Sequence, residues 1–198
     1  KTKENLVTMN KRGRLLVASY EALRFQRLDL FTVTLRQIGN YLLRTQLEDA
    51  IDTLIDGDGN SNPAGTVAVA STGSLTYADL LNLWSKFEDY EMNVLLADTA
   101  GMLKLLNLEE FQNPLTGLNF AGTGQLTTPM GAQLYRTGAV PTGKMVALDK
   151  TCALEMVTAG DVMLEYDKLI DQQLERAAIT CTYGFAKIFA DASKVLTL

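Results

Sequence analysis

The chain has 198 residues, 47% of them hydrophobic, with a net charge of −5, two cysteines and no histidine. At this length roughly 70% of the unfolded surface can be buried, so folding needs no disulfide or metal staple, and no apolar run approaches the 18 or so residues of a membrane-spanning helix. The missing histidine removes the commonest general base and the commonest metal ligand together.

Charge is spread unevenly. Seven basic and two acidic side chains lie between Lys1 and Arg27, against nine basic and seventeen acidic from Asp56 onward. A nucleic-acid reader concentrates basic side chains over its binding surface. Only the opening segment does so here, which reads as a solvated basic tail, and the acidic remainder repels a phosphate backbone. Cys152 and Cys181 are too far apart in sequence for a zinc motif. Both sit in apolar-alternating stretches as small buried hydrophobes, and they are expected to be reduced, in an intracellular protein. No signal peptide is visible, and the first residue is Lys1 rather than methionine, as trimming or proteolysis would leave it.

In chain order, Lys1 to Lys11 reads as a polar arm and Arg12 to Ala18 as a short strand. Ser19 can cap a short helix through Phe25, with Ala22 and Phe25 facing inward. Asp29 to Asn60 is the organising stretch. Phe31, Leu35, Ile38, Leu42, Leu47, Ile51, Leu54 and Ile55 recur at helical spacing apart from one five-residue slip after Leu42. Arg36, Asn40, Arg44, Glu48 and Asp52 fall on the other side. Gly57 and Gly59 then end the helix. A helix from Asp29 to Ile55 spans about 40 Å, long enough to serve as a spine for other elements.

Small residues from Ser61 to Ser74 mark a boundary with a weak strand at Val67 and Val69. Ser74 or Thr76 then caps a helix to about Phe87, with Leu80, Leu81, Trp84 and Phe87 as its apolar face. Asn93 to Ala97 is a buried strand, and a helix capped by Asp98 or Thr99 runs to about Leu106, with Met102, Leu105 and Leu106 inward. Glu109 to Thr128 has no periodicity and carries Pro114, Gly117, Gly122 and Gly124, the pattern of a functional loop. Strands follow at Ala132–Thr137, Met145–Leu148, Ala153–Val157 and Val162–Tyr166. A longer strand lies within Gln173–Phe189, with a bend or bulge at Gly184, and a last one at Val195–Leu198. In the long strand Ile179, Cys181, Tyr183 and Phe185 share one face. Helices dominate the first half and antiparallel strands the second, an α+β architecture.

No motif assembles a catalytic centre. Asp56, Asp58 and Asn60 occupy the first three oxygen positions of a calcium loop, but Ser61 replaces its glycine and Val67 its bidentate glutamate, so a helix-ending turn is expected. Gly122-Thr123-Gly124 lacks the third glycine and lysine of a phosphate loop. Glu88, Asp89, Glu91, Glu109 and Glu110 sit on helix ends and polar faces as solvated charges. Ser74, Ser85 and Ser193 have no histidine to activate them. Trp84 is expected in the core.

The order of elements nevertheless resembles one family, the major capsid proteins of tailed double-stranded DNA phages, whose fold is shared with encapsulin shells. The resemblance runs from about Arg12 to Leu198. It is carried by Arg14 to Leu23 leading into the spine, the Gly57-Asp58-Gly59 turn, the Tyr77–Leu106 helix–strand–helix, Gly131–Arg136 and Val140–Gly143. It continues through Asp161–Asp167, Gln172–Ala186 and Asp191–Val195. The front differs, because family members carry an N-terminal arm and a long hairpin before the spine and this chain has little room for either.

The resemblance implies a spine helix packed on antiparallel strands, with an axial α/β subdomain inserted at 61–149 and a peripheral one made of 1–60 and 150–198. It implies a structural subunit, not an enzyme, that self-assembles into pentamers and hexamers enclosing the DNA genome. Its partners would be further copies of itself together with portal, scaffold or maturation protease, with DNA met only by non-specific proximity, and neither membrane nor cofactor nor metal. It would be located in the virion capsid and assembled in the bacterial cytoplasm. Asn119, Phe120 and Gln125 are expected inter-subunit contacts. An encapsulin-type nanocompartment and a calcium-binding soluble module are the alternatives.

Overall fold

The expected spine is a single 27-residue helix, α2 (Leu30–Asp56), in a computed structural model that describes residues 6–25, 30–112, 128 and 130–198. Before it come β1 (Asn10–Ser19) and α1 (Tyr20–Phe25). After it come β2 (Gly65–Ala68), α3 (Tyr77–Ser85), β3 (Val94–Ala97), α4 (Thr99–Leu106) and α5 (Glu109–Gln112). The rest is β4 (Gln133–Arg136), β5 (Lys144–Leu148), β6 (Leu154–Thr158), β7 (Met163–Leu169), β8 (Leu174–Lys187) and β9 (Ser193–Thr197).

Local chemistry sets the helix boundaries. The Ser19 hydroxyl accepts from the Ala22 N–H at 3.1 Å and starts α1. Thr76 and Asp79 form a reciprocal capping box at α3, and Asp98 accepts from the Gly101 N–H at 2.7 Å at α4. At the end of α2, Gly57 takes φ +91°, and a Cβ there would lie 2.6 Å from Asn62 Oδ1, so both conformation and space demand glycine.

The chain forms two compact units. The first comprises Ala50–Glu155 and Ala186–Leu198. Its five-stranded sheet has the order β2-β9-β5-β3-β4. One face, with Leu95, Leu134, Met145 and Leu196, packs against Leu80 and Leu83 of α3 and Met102 and Leu105 of α4. The other face, with Val94, Val146, Leu148 and Val195, packs against Ile51, Leu54 and Ile55 of α2. Both faces of the sheet are thus covered, giving a three-layer body.

The second unit comprises Leu6–Asp49 and Met156–Phe185. Here β8 is the central strand. It pairs antiparallel with β1 from Asn10↔Tyr183 to Ser19↔Leu174, and antiparallel with β7 from Met163↔Thr180 to Leu169↔Leu174. β6 also pairs with β8. Ile38 and Leu42 of α2 pack against Ile179, Cys181, Tyr183 and Phe185, the face expected from alternation. The boundaries of the two units fall after Asp49, Glu155 and Phe185.

Several expectations are corrected. The second-half strands are not uniformly antiparallel: β4 pairs parallel with β3, and β9 parallel with β2. Period-two alternation reports a buried face but carries no strand direction. In α3 the buried apolar residues are Leu80 and Leu83, with Phe87 buried just beyond the helix end, whereas Leu81 and Trp84 are exposed and Trp84 is 50% so. Leu47 is 43% exposed because the five-residue slip carries it about 140° around the helix from Leu42. Phe25 points outward, 78% exposed. Gly184 sits inside the continuous strand β8, where a Cβ would stand 2.5 Å from the Thr8 carbonyl oxygen, so it admits the close approach of Val7–Met9 rather than a bulge.

Candidate functional site

Asn119, Phe120 and Gln125 lie outside the described residues. The downstream flank of their segment is anchored by Thr128, which is buried. Its N–H donates to the Ala132 carbonyl at 2.7 Å, and its hydroxyl accepts from the Ala132 N–H at 3.0 Å.

In the unit built on β8, a polar lock ties α2 to the sheet. Arg12 of β1 grips Asp49 with both Nε (3.2 Å) and Nη2 (2.8 Å), and the Tyr183 hydroxyl donates to Asp49 Oδ2 at 2.7 Å. The hydrogen bond to Asp49 raises the Arg12 pKa further above its usual range. Burial, aided by the Asp49 carboxylate, pushes the Tyr183 phenol up to about 12. Beside this lock the Arg14 guanidinium lies over the Tyr41 ring at 4.3 Å, a cation–π contact. These residues are far apart in sequence, and nothing in the alternation pattern singles them out.

In the five-stranded unit, Asp149 clamps the segment before β3 to the end of β5. Its carboxylate accepts from the Glu91 N–H (3.1 Å), Asn93 Nδ2 (3.0 Å), the Thr151 N–H (3.0 Å) and the Thr151 hydroxyl (2.6 Å). Those donors, led by the Thr151 hydroxyl, hold its pKa at about 2 against the cost of burial. Lys187 is buried with Nζ 2.9 Å from the Leu54 carbonyl oxygen, one of the terminal acceptors of α2, and the Ser193 hydroxyl approaches the same oxygen at 3.4 Å. Burial drops the Lys187 pKa to about 8.

The Asp56–Asn62 turn is occupied by its own protein contacts. Asp58 accepts from the Lys187 N–H at 3.0 Å and from the Asn60 N–H and Nδ2 at 3.1 and 2.9 Å. Burial works to raise its pKa, but these donors outweigh it and leave the carboxyl below the ordinary range. Its oxygens thus close the turn. Among the described residues no three His, Cys, Asp or Glu side chains are grouped to hold a metal ion. No described helix is long and apolar enough to cross a membrane. Cys152 and Cys181 are both free thiols.

The surface has one feature that alternation alone did not predict. Val162, Leu164 and Tyr166 alternate with the acidic Glu165 and Asp167, yet β7 is exposed from Met163 to Lys168 on both sides. Met156 and Val157 of β6, and Leu15 and Val17 of β1, are exposed as well. Among the described residues of this unit only Leu42, Ala177, Cys181 and Tyr183 are buried apolar residues. Exposed apolar area of this kind is what a contact with another protein, a membrane or a ligand would cover.

A family model described as phage capsid protein matches residues 3–193. No curated protein matches the chain. Among solved structures, a chain from Mycobacterium phage Che8 is similar at 14% identity, with 99% of this chain and 76% of that chain covered and a TM-score of 0.76. The capsid of a native GTA particle is similar at 12% identity, with 97% and 73% covered and a TM-score of 0.75. The holo-SrpI encapsulin of Synechococcus elongatus is similar at 15% identity, with 96% and 73% covered and a TM-score of 0.70. These likenesses carry the fold, the phage major capsid fold shared with encapsulins, and the family match carries the role. The chain belongs to the phage capsid protein family, as a structural capsid subunit.

Proposed function

We propose that this capsid subunit assembles with copies of itself into pentamers and hexamers of a closed phage or prophage shell around packaged DNA, and catalyses no reaction. The supporting observation is the family match over residues 3–193 together with a unit whose strands carry exposed apolar side chains among the described residues. A shell needs many modest contacts, and repetition around a ring raises the strength of each through near-intramolecular closure. In this reading 61–149 is the axial part, facing the capsomer axis, and 1–60 with 150–198 the peripheral part. Portal, scaffold and maturation protease are its further partners, and the shell forms in the bacterial cytoplasm. Asn119, Phe120 and Gln125 belong to the subunit contacts; replacing all three and recovering unchanged capsomers by sedimentation removes them from it.

Electron microscopy of the purified full-length protein tests the proposal. Rings or closed shells are the expected result, and a monodisperse monomer at every concentration overturns it. The likeness to the encapsulin supports a second reading, a compartment that encloses protein cargo. Nuclease-protected DNA in purified particles favours the capsid, and particles free of DNA but carrying a co-purified protein favour the compartment.

A further inference from the structure

The sheet built on β8 ends in two different edges. β8 is paired on both sides, whereas β1 and β7 each pair only with β8 among the described residues. Each therefore keeps one row of backbone N–H and C=O groups without a strand partner, and such an edge is a template for another strand.

The two edges carry opposite charge. β1 holds Lys11, Arg12 and Arg14 and no acid. β7 and its flanks hold Asp161, Glu165, Asp167 and Asp171 against Lys168. Internal ion pairs account for Arg12 with Asp49, Asp167 with Arg176, and Lys168 with Glu175. That leaves Lys11 and Arg14 as the net charge of one edge, and Asp161, Glu165 and Asp171 as that of the other.

Register places the complementary groups on one face. Lys11 pairs with Thr182 and Glu165 with Ala178, both even positions of β8, so Lys11 and Glu165 project from the same side of the sheet. Both are exposed. Since β1 and β7 both run antiparallel to β8, they are parallel to each other.

We infer that the acidic β7 edge of one copy receives the basic β1 edge of a second copy, continuing the sheet from subunit to subunit with Lys11 of one copy beside Glu165 of the next. The inference rests on the shell-subunit reading and deepens it. Pairing β1 with β1, or β7 with β7, would set like charges against each other. The β1-to-β7 contact is head-to-tail, and such a contact closes into a ring when the rotation allows. It also covers the exposed Leu164 and Tyr166 on one face of β7 and Met163 on the other.

Cysteine pairing in the full-length protein tests it. Within one chain, positions 11 and 165 stand two strand spacings apart across the sheet, about 9.6 Å, and four residues apart along it, roughly 13 Å, which is beyond disulfide reach. A chain carrying both Lys11→Cys and Glu165→Cys should give a ladder of covalent multimers on oxidation. Mixing the two single variants should give dimers and nothing larger, and each single variant alone should stay uncrosslinked. A charge exchange gives an independent reading: Lys11→Glu should lower the assembled fraction at least about tenfold, and adding Glu165→Lys should restore it. Normal rings or shells without a ladder, or an exchange that fails to restore assembly, overturn the inference while the shell reading stands. A native chain that never assembles overturns both.

Discussion

The two units solve the burial problem in opposite ways. The five-stranded unit has helices on both faces of its sheet, and Leu80, Leu83, Leu95, Leu105, Met145 and Leu196 are all fully buried. The β8 unit has α2 packed on one face of its sheet over a small core of Leu42, Cys181 and Tyr183. It compensates with polar fastenings, the Arg12–Asp49–Tyr183 lock and the Lys168–Glu175 and Arg176–Asp167 cross-strand pairs. Exposed ion pairs contribute little, so this unit is expected to gain most of its cover from neighbours in the shell. The difference separates stability of the single chain from stability of the assembly.

The comparison breaks most readily in the five-stranded core. Leu95→Ala should cost about 3 kcal/mol of unfolding free energy by denaturant titration, and a loss under about 1 kcal/mol would mean this core is not what holds the unit. The next effect is acid loss. Asp149 titrates near 2 when folded and near 3.8 otherwise, so the unfolded chain takes up the proton first. Its contribution, on the order of 2 kcal/mol, is complete above about pH 5 and disappears as the pH falls through the folded value. Asp149→Asn should flatten that part of the stability–pH curve.

In the β8 unit, Tyr183→Phe removes one hydrogen bond from the lock and should cost about 1 kcal/mol, seen as faster amide exchange along β8 and the facing turns of α2. The smallest stability effect sharpens the contrast. Tyr166→Ser on β7, where the ring is 63% exposed, should change single-chain stability by less than about 0.5 kcal/mol yet reduce the assembled fraction by sedimentation. An equal loss in both measurements would show that β7 is already covered within the chain.

The helices and most strand positions were legible because they depend on neighbours in sequence. The Thr76–Asp79 cap, the Asp98 cap, the Gly57 stop and the β8 face from Ile179 to Phe185 all follow local rules. What depends on distant partners was not legible. Leu83 rather than Trp84 faces the core because the sheet lies on that side, and the parallel β3–β4 and β2–β9 pairings follow from chain routing. Asp49 and Tyr183 meet across 134 residues. Val162, Leu164 and Tyr166 alternate as a buried face should, but all three are exposed. Alternation reports that a face is apolar and is silent about whether the cover comes from the same molecule. The candidate contacts Asn119, Phe120 and Gln125 rested on a segment without periodicity, which carries no geometric information.

The place of β9 has a temporal consequence. It lies between β2 and β5 in the five-stranded sheet, parallel to one and antiparallel to the other. On the ribosome, β2 and β5 therefore wait for a strand made more than forty residues after β5, and the Leu54 carbonyl waits with them for Lys187 and Ser193. A nascent chain interrupted before Ser193 has a gap in the middle of its sheet, so translation itself withholds a finished sheet until Ser193–Thr197 has been added.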